Sequence, residues 1–228
     1  MEIFNYVITA LAAYLLGSIP TGYLVAKAKG VDIRSVGSGN IGATNVFRIL
    51  GKPAGIFVLL VDALKGFAAV VLVPGLVLKL PHTTVTSAVE LEIYFAILER
   101  LTIIAGISAI LGHNYTCWLK FKGGKGIATT AGVLIALTPV AFLIVLSIFI
   151  LVAVTTRYIS LASIIACFCL PFAVWILHGN NTMIVITAIF GALGIYKHKA
   201  NIKRLLNGTE NRFGKKMARK NEGKDAKA

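Results

Sequence analysis

Residues 36 to 48 read VGSGNIGATNVFR, a stretch that gathers three glycines (Gly37, Gly39, Gly42), two hydroxyls (Ser38, Thr44), two amides (Asn40, Asn45) and one guanidinium (Arg48). Such residue types suit an anion. Glycines let the backbone reach positive φ and turn its N–H groups toward one point, and a helix that starts just beyond adds its positive end. The spacing also spells G-x-G-x-x-G, the dinucleotide fingerprint, with Asp62 at a suitable distance. That fingerprint needs a strand before it and a βαβ unit around it, and the apolar runs on either side are too long for that. A phosphate-holding loop is the preferred reading; a flexible, solvated loop is the plainer alternative.

Two further segments carry chemistry. GHNYTCWLKFKGGKG (112 to 126) frames Lys122 and Lys125 with Gly123, Gly124 and Gly126. It is not a Walker A loop, because Gly126 stands where Ser or Thr must follow the GK pair and Leu119 where the first glycine belongs. A lysine at the mouth of a helix is a good phosphate ligand all the same, with snorkelling to headgroups as its alternative. In YKHKANIKRLLNGTE (196 to 210), His198 and Asn201 share a helical face that Arg204 continues, and Gly208 before Thr209 and Glu210 predicts a glycine cap. His198 suits proton transfer and Asn201 the holding of an oxygen. Ser160 and Ser163 share a face at the start of another apolar run and could reach the same pocket.

The elements that must position these groups are membrane helices. The 228 residues are 57% hydrophobic and 14% charged, and the mean hydropathy is +0.83, a composition for a bilayer. The net charge of +14 does not point to nucleic acid, because eleven of the 23 Lys and Arg fall between Lys197 and Lys227, beside the last apolar run, where anionic lipid is the natural partner. Cys117, Cys167 and Cys169 have no ligand or disulfide spacing. The apolar runs are 3 to 26, 54 to 78, 91 to 112, 127 to 137, 140 to 155, 159 to 177 and 182 to 196. Seven spans with the N-terminus outside put Arg34, Arg48, Lys120, Lys122, Lys125, Arg157 and the basic tail on the cytoplasmic side, whereas six spans would not. The first run has no basic leader or cleavage pattern and is expected to be a retained span. The fourth, about 17 Å of helix against a core of about 30 Å, is expected to be a short, protein-packed helix that lines a site; one long helix kinked at Pro139 is the alternative. Asp62 and Lys65 lie three apart in the second run and are expected to pair or to face the site, with a structural role preferred.

VGSGNIGATNVFR, FKGGKGIAT and HKANIKRLLNGTE resemble, in the right order, the three signature regions of the bacterial acyl-phosphate:glycerol-3-phosphate acyltransferase (PlsY) family. The resemblance runs from the first span through RYISLAS to Glu210. It implies an all-α polytopic membrane protein of seven spans that acylates the 1-hydroxyl of sn-glycerol 3-phosphate, giving lysophosphatidate and phosphate without a thioester donor. It also implies a bacterial inner-membrane enzyme with a cytoplasmic site, supplied by the enzyme that makes acyl-phosphate. The expected catalytic residues are Ser38, Lys125, His198 and Asn201. The expected binding residues are Gly37, Gly39, Asn40, Gly42, Thr44, Asn45, Arg48, Lys122, Gly123, Gly124, Ser160, Ser163 and Glu210. Residues 1–213 form the expected domain, and the lysine-rich 214–228, which the family pattern does not require, an expected disordered tail.

The chemistry agrees with that expectation. Both substrates carry phosphate, and an acyl-phosphate is a mixed anhydride with a good leaving group, so positioning and charge neutralisation are what the protein must supply. No cofactor, metal or covalent acyl-enzyme is expected; the H-x-x-x-x-D pattern of soluble acyltransferases is absent. The two rivals are a lipid phosphotransferase, which would want an aspartate cluster for paired metals, and an organic-anion transporter, which would want internal repeats with charges at mid-bilayer.

Overall fold

The computed structural model describes residues 2–79, 87–178 and 181–213, all helix and connecting turn. In chain order the helices are α1 (Glu2–Ser18), α2 (Thr21–Ala28), α3 (Ala43–Leu50), α4 (Lys52–Lys79), α5 (Ala88–Asn114), α6 (Ile127–Leu137), α7 (Pro139–Thr156), α8 (Ile159–His178), α9 (Asn181–Lys197) and α10 (Lys199–Leu206). By length and composition five segments can cross a membrane: α1 with α2, α4, α5, α7 and α8. A sixth forms if α9 and α10, bent by 57°, are taken together. The lysine-rich 214–228 and most of the loop between α4 and α5 lie outside the described residues.

Each break has a chemical cause. Thr138 precedes a proline, which disfavours the α conformation, and sits at φ −146° and ψ 69°. The chain therefore leaves α6 there and restarts with Pro139 at the first position of α7, so the single kinked helix is not formed. The first run, read as one span, is interrupted at Ile19-Pro20, where proline removes an N–H. The carbonyls freed at this joint are satisfied from distant parts of the chain, the connection after α5 and the middle of α4. Thr116 Oγ1 donates to Ser18 O at 2.6 Å and Lys65 Nζ to Ile19 O at 2.7 Å.

Small residues bring the helices together, as they must where lipid offers no hydrophobic drive between helices. A Cβ at Gly17 would run into the Ala109 carbonyl, and one at Gly112 into that of Tyr14, which clamps α1 on α5. Gly66 lies against Thr129 O and Gly132 against Ala63 O, clamping α4 on α6. The short α6 is the hub. Its Val133 and Leu134 join Val70 of α4, Ile110 of α5, Val145 of α7, Val174 of α8 and Phe190 of α9 in one buried cluster. Leu60, Leu64, Leu72 and Leu76 face outward along α4 while Asp62 and Lys65 are buried, an inside-out arrangement that suits hydrocarbon.

Candidate active site

The three polar segments meet at one end of the bundle around a cavity of about 150 Å³. Its wall includes Ser38, Asn40, Gly42, Thr44, Asn45 and Arg48 from the first segment, Lys125 from the second, and His198, Asn201 and Glu210 from the third, with Ser160 and Ser163 of α8. Gly37, Gly39, Lys122, Gly123 and Gly124 do not line it. Asp62, expected to pair or to face the site, does line it, and so do Leu59, Phe149 and Asn211, to which no motif pointed. Asp62 had a visible signal, a carboxylate inside an apolar run. The two apolar side chains had none.

The first loop is built around Asn45. Its Oδ1 accepts the Ser38 N–H at 2.9 Å, and its Nδ2 donates to the carbonyls of Ile33, Val36 and Asn40. Gly37, at φ +62°, must be glycine, because a Cβ would strike Asn45 Oδ1. Gly39 also takes positive φ, but Gly42 does not. It is extended at φ −75° as the cap of α3, and its N–H donates to Asn40 Oδ1 at 2.8 Å. The N–H groups of Ser38, Gly39 and Gly42 are thus engaged within the loop. The expected row of amides turned toward an anion gives way to side chains and the first turn of α3, whose Ala43 and Thr44 line the cavity. Arg48, one turn on from Asn45 and Thr44, reaches it half-buried, and burial pulls its guanidinium below its ordinary value.

In the second loop, Gly123 packs against His113 O, Gly124 against the His113 ring and Gly126 against the Asn114 side chain. Lys122 is exposed. Only Lys125 and Gly126 reach the cavity. Burial brings the Lys125 ammonium down to about 8, with Glu210 opposing and Arg204 and Arg48 adding to the fall.

The third segment is a chain of hydrogen bonds. Lys125 Nζ donates to Asn201 Oδ1 at 2.6 Å, and Asn201 Nδ2 to Glu210 Oε1 at 2.9 Å. Ser160 Oγ donates to the same oxygen at 3.0 Å, and Arg204 Nε to Glu210 Oε2 at 2.6 Å. Those donors outweigh burial and hold the Glu210 carboxyl below its ordinary value. Glu210 is placed by a Schellman turn: Gly208, at φ +67°, donates to Leu205 O and Thr209 to Arg204 O, which turns the chain back across α10. His198 Nδ1 lies 2.7 Å from Gly194 O. A carbonyl only accepts, so Nδ1 carries the proton and Nε2 of the neutral ring is left as an acceptor. Ser163 Oγ donates back to Ile159 O.

Asp62 and Lys65 form a buried ion pair at 2.8 Å, the expected pairing. Asp62 also faces the cavity. Among the described residues no three His, Cys, Asp or Glu side chains assemble as metal ligands.

A family model described as glycerol-3-phosphate acyltransferase matches residues 7–208. A glycerol-3-phosphate acyltransferase from Geotalea daltonii is 45% identical over 207 residues, covering 91% of this chain and 97% of its own. One from Geobacter sulfurreducens is 46% identical over 209 residues, with 92% and 98% covered. Among solved structures, the glycerol 3-phosphate form of PlsY, an integral membrane glycerol 3-phosphate acyltransferase, superposes with a TM-score of 0.78 at 38% identity, covering 92% of this chain and 96% of that one. The lysophosphatidic acid form gives 0.74 at 37% identity, with 93% and 95% covered.

Proposed function

The chain belongs to the glycerol-3-phosphate acyltransferase family, and from that premise we propose that it transfers a fatty acyl group from acyl-phosphate to the 1-hydroxyl of sn-glycerol 3-phosphate. One observation carries this reading. Three cations, Arg48, Lys125 and Arg204, share a cavity with the apolar side chains of Leu59, Phe149, Ile127 and Ile159, so phosphate and hydrocarbon have neighbouring places. The charged side suits the phosphates. The apolar side, between α4 and α7 in front of the short α6, suits a chain that comes laterally from the bilayer.

The attacking 1-hydroxyl forms a bond to the acyl carbon, the bond from that carbon to the phosphate oxygen breaks, and inorganic phosphate leaves. The hydroxyl proton goes to His198 Nε2, the acceptor left free by the bond to Gly194 O. Lys125 and Arg48 neutralise phosphate, Asn201 and Glu210 fix the lysine, and Ser38 and Thr44, whose hydroxyls have no hydrogen-bond partner among the described residues, are free to hold substrate oxygens. An anhydride donor asks for placement and charge compensation rather than for a protein nucleophile. Seven passes, with an external N-terminus and this cavity at the cytoplasmic face of a bacterial inner membrane, would give both substrates access. Residues 1–213 form the catalytic domain, with 214–228 as a tail that takes no part.

The deciding assay uses purified protein in phospholipid vesicles with acyl-phosphate, glycerol 3-phosphate and EDTA. Equal amounts of lysophosphatidate and free phosphate are expected. EDTA sensitivity would favour a metal-dependent phosphotransferase. Movement of glycerol 3-phosphate across the vesicle without product would favour a transporter. Near-normal turnover by His198→Gln, with an unchanged pH profile, would remove the histidine as base.

A further inference from the structure

The carboxylate of Asp62 is used on one side only. Oδ1 is in contact with Lys65 Nζ at 2.8 Å and accepts from Thr21 Oγ1 at 3.0 Å. Among the described residues Oδ2 takes no hydrogen bond, and it is not one of the fully enclosed unpartnered atoms. Yet the residue is only 2% exposed, and what it borders is the cavity that holds Arg48, Lys125 and His198. A structural ion pair at this depth would be expected to satisfy both oxygens, because an unmet acceptor in a low-dielectric interior costs free energy. Lys65 in turn is anchored on Ile19 O at the proline break, so the carboxylate is held from outside the site, with little freedom to turn.

The other carboxylate of the cavity, Glu210, has both oxygens engaged. Among the described side chains that line the cavity, the carboxylate and imidazole acceptors left without a hydrogen bond are Asp62 Oδ2 and His198 Nε2. A carboxylate repels phosphate and welcomes hydroxyl donors. The substrate of the proposed reaction brings a phosphate and two hydroxyls, one of which must lie at the proton acceptor.

We infer that Asp62 Oδ2 accepts the hydrogen bond of the non-reacting, sn-2 hydroxyl of glycerol 3-phosphate, and so sets the specificity for a vicinal diol phosphate. This rests on the acyltransferase reading above. With the phosphate on the cations and the sn-2 hydroxyl on Asp62, the 1-hydroxyl is left for His198. An acceptor of this kind discriminates sharply against an analogue that lacks the hydroxyl, because that analogue leaves the carboxylate oxygen unmet in the cavity.

The test compares sn-glycerol 3-phosphate with 3-hydroxypropyl phosphate, which lacks the sn-2 hydroxyl, and with 2-fluoro-3-hydroxypropyl phosphate, which puts an acceptor there. Full-length protein in vesicles is used, and both kcat/KM with acyl-phosphate and Kd without a donor are measured. The expected order in the unmodified protein is hydroxyl over hydrogen over fluorine, with the first step about 10- to 100-fold. Asp62→Asn should compress that first step to about threefold or less, whatever the variant does to the absolute rate on 3-hydroxypropyl phosphate. Equal use of all three by the unmodified protein overturns the inference, and this result needs no variant to fold. An equal loss on glycerol 3-phosphate and on 3-hydroxypropyl phosphate in Asp62→Asn, which leaves their ratio unchanged, also overturns it and leaves a purely structural pair. If the protein acylates none of the three from acyl-phosphate, the acyltransferase reading fails instead, and the order of Kd values still judges Asp62.

Discussion

Two glycine-rich loops feed this cavity, and they use the same composition for opposite purposes. In residues 36–42 glycine serves the backbone: the chain curls around the buried Asn45 amide and presents Ser38 and Asn40 to the cavity. In residues 122–126 Gly123 and Gly124 serve packing, because the end of α5 at His113 and Asn114 presses against their α-carbons. Lys125 is then the only side chain that the second loop delivers. A glycine-rich string beside a lysine or an arginine is thus not by itself a phosphate cradle. What decides is whether the glycines free the loop for a ligand or yield space to the protein.

The comparison can be broken experimentally. The largest effect should come from the delivered cations: Arg48→Ala and Lys125→Ala should each lower kcat/KM about 100-fold or more, with a thermal midpoint close to that of the parent, as read by phosphate release and a melting scan. Next comes pH. On the proposed reading Lys125, which burial brings down to about 8, binds phosphate only when protonated. Affinity for glycerol 3-phosphate should therefore be full below that value and fall about tenfold per unit above it, a limb that Lys125→Arg should carry to higher pH. Bound phosphate raises the lysine's value, so the limb belongs to kcat/KM and should be weaker in kcat.

The loops themselves come third. Asn45→Ala removes one acceptor and a donor shared by three carbonyls, and should destabilise the protein by about 2–3 kcal/mol while also lowering activity. Gly124→Ala pushes a methyl group into the His113 ring and should cost about 1–3 kcal/mol of stability with kcat changed little. A catalytic loss without a stability loss at Gly124 would contradict the division of labour drawn here. Least affected should be Lys122→Ala, whose exposed ammonium leaves turnover within about twofold.

Much of the fold was written in the chain because its breaks are covalent. Proline after Thr138 ends one helix and starts another, and the limits of the short helix, 127 to 137, follow from that and from the glycines before it. The face shared by His198, Asn201 and Arg204 was legible for the same local reason, a repeat of three. What could not be read depends on neighbours distant in sequence. The crowding of Gly123 and Gly124 comes from α5, the orientation of Asp62 from Lys65 and the joint at Pro20, and the apolar wall from Leu59 and Phe149, which look like any other lipid-facing residues. Gly42 shows a subtler limit. A glycine allows positive φ without requiring it, and here it serves as an extended cap.

The position of Glu210 has a further consequence. Arg48, Lys125 and Arg204 would repel one another in an apolar setting, and nothing in a bilayer would screen them. Glu210 is a resident counter-ion, clasped by Arg204 and attracting the other two, so two positive charges remain unmatched at the cavity wall. That surplus equals the charge of one phosphate dianion. On the proposed reading the site could then take up and surrender a phosphate without its cations drifting apart between turnovers, and its readiness would be secured by a single turn of backbone at Gly208.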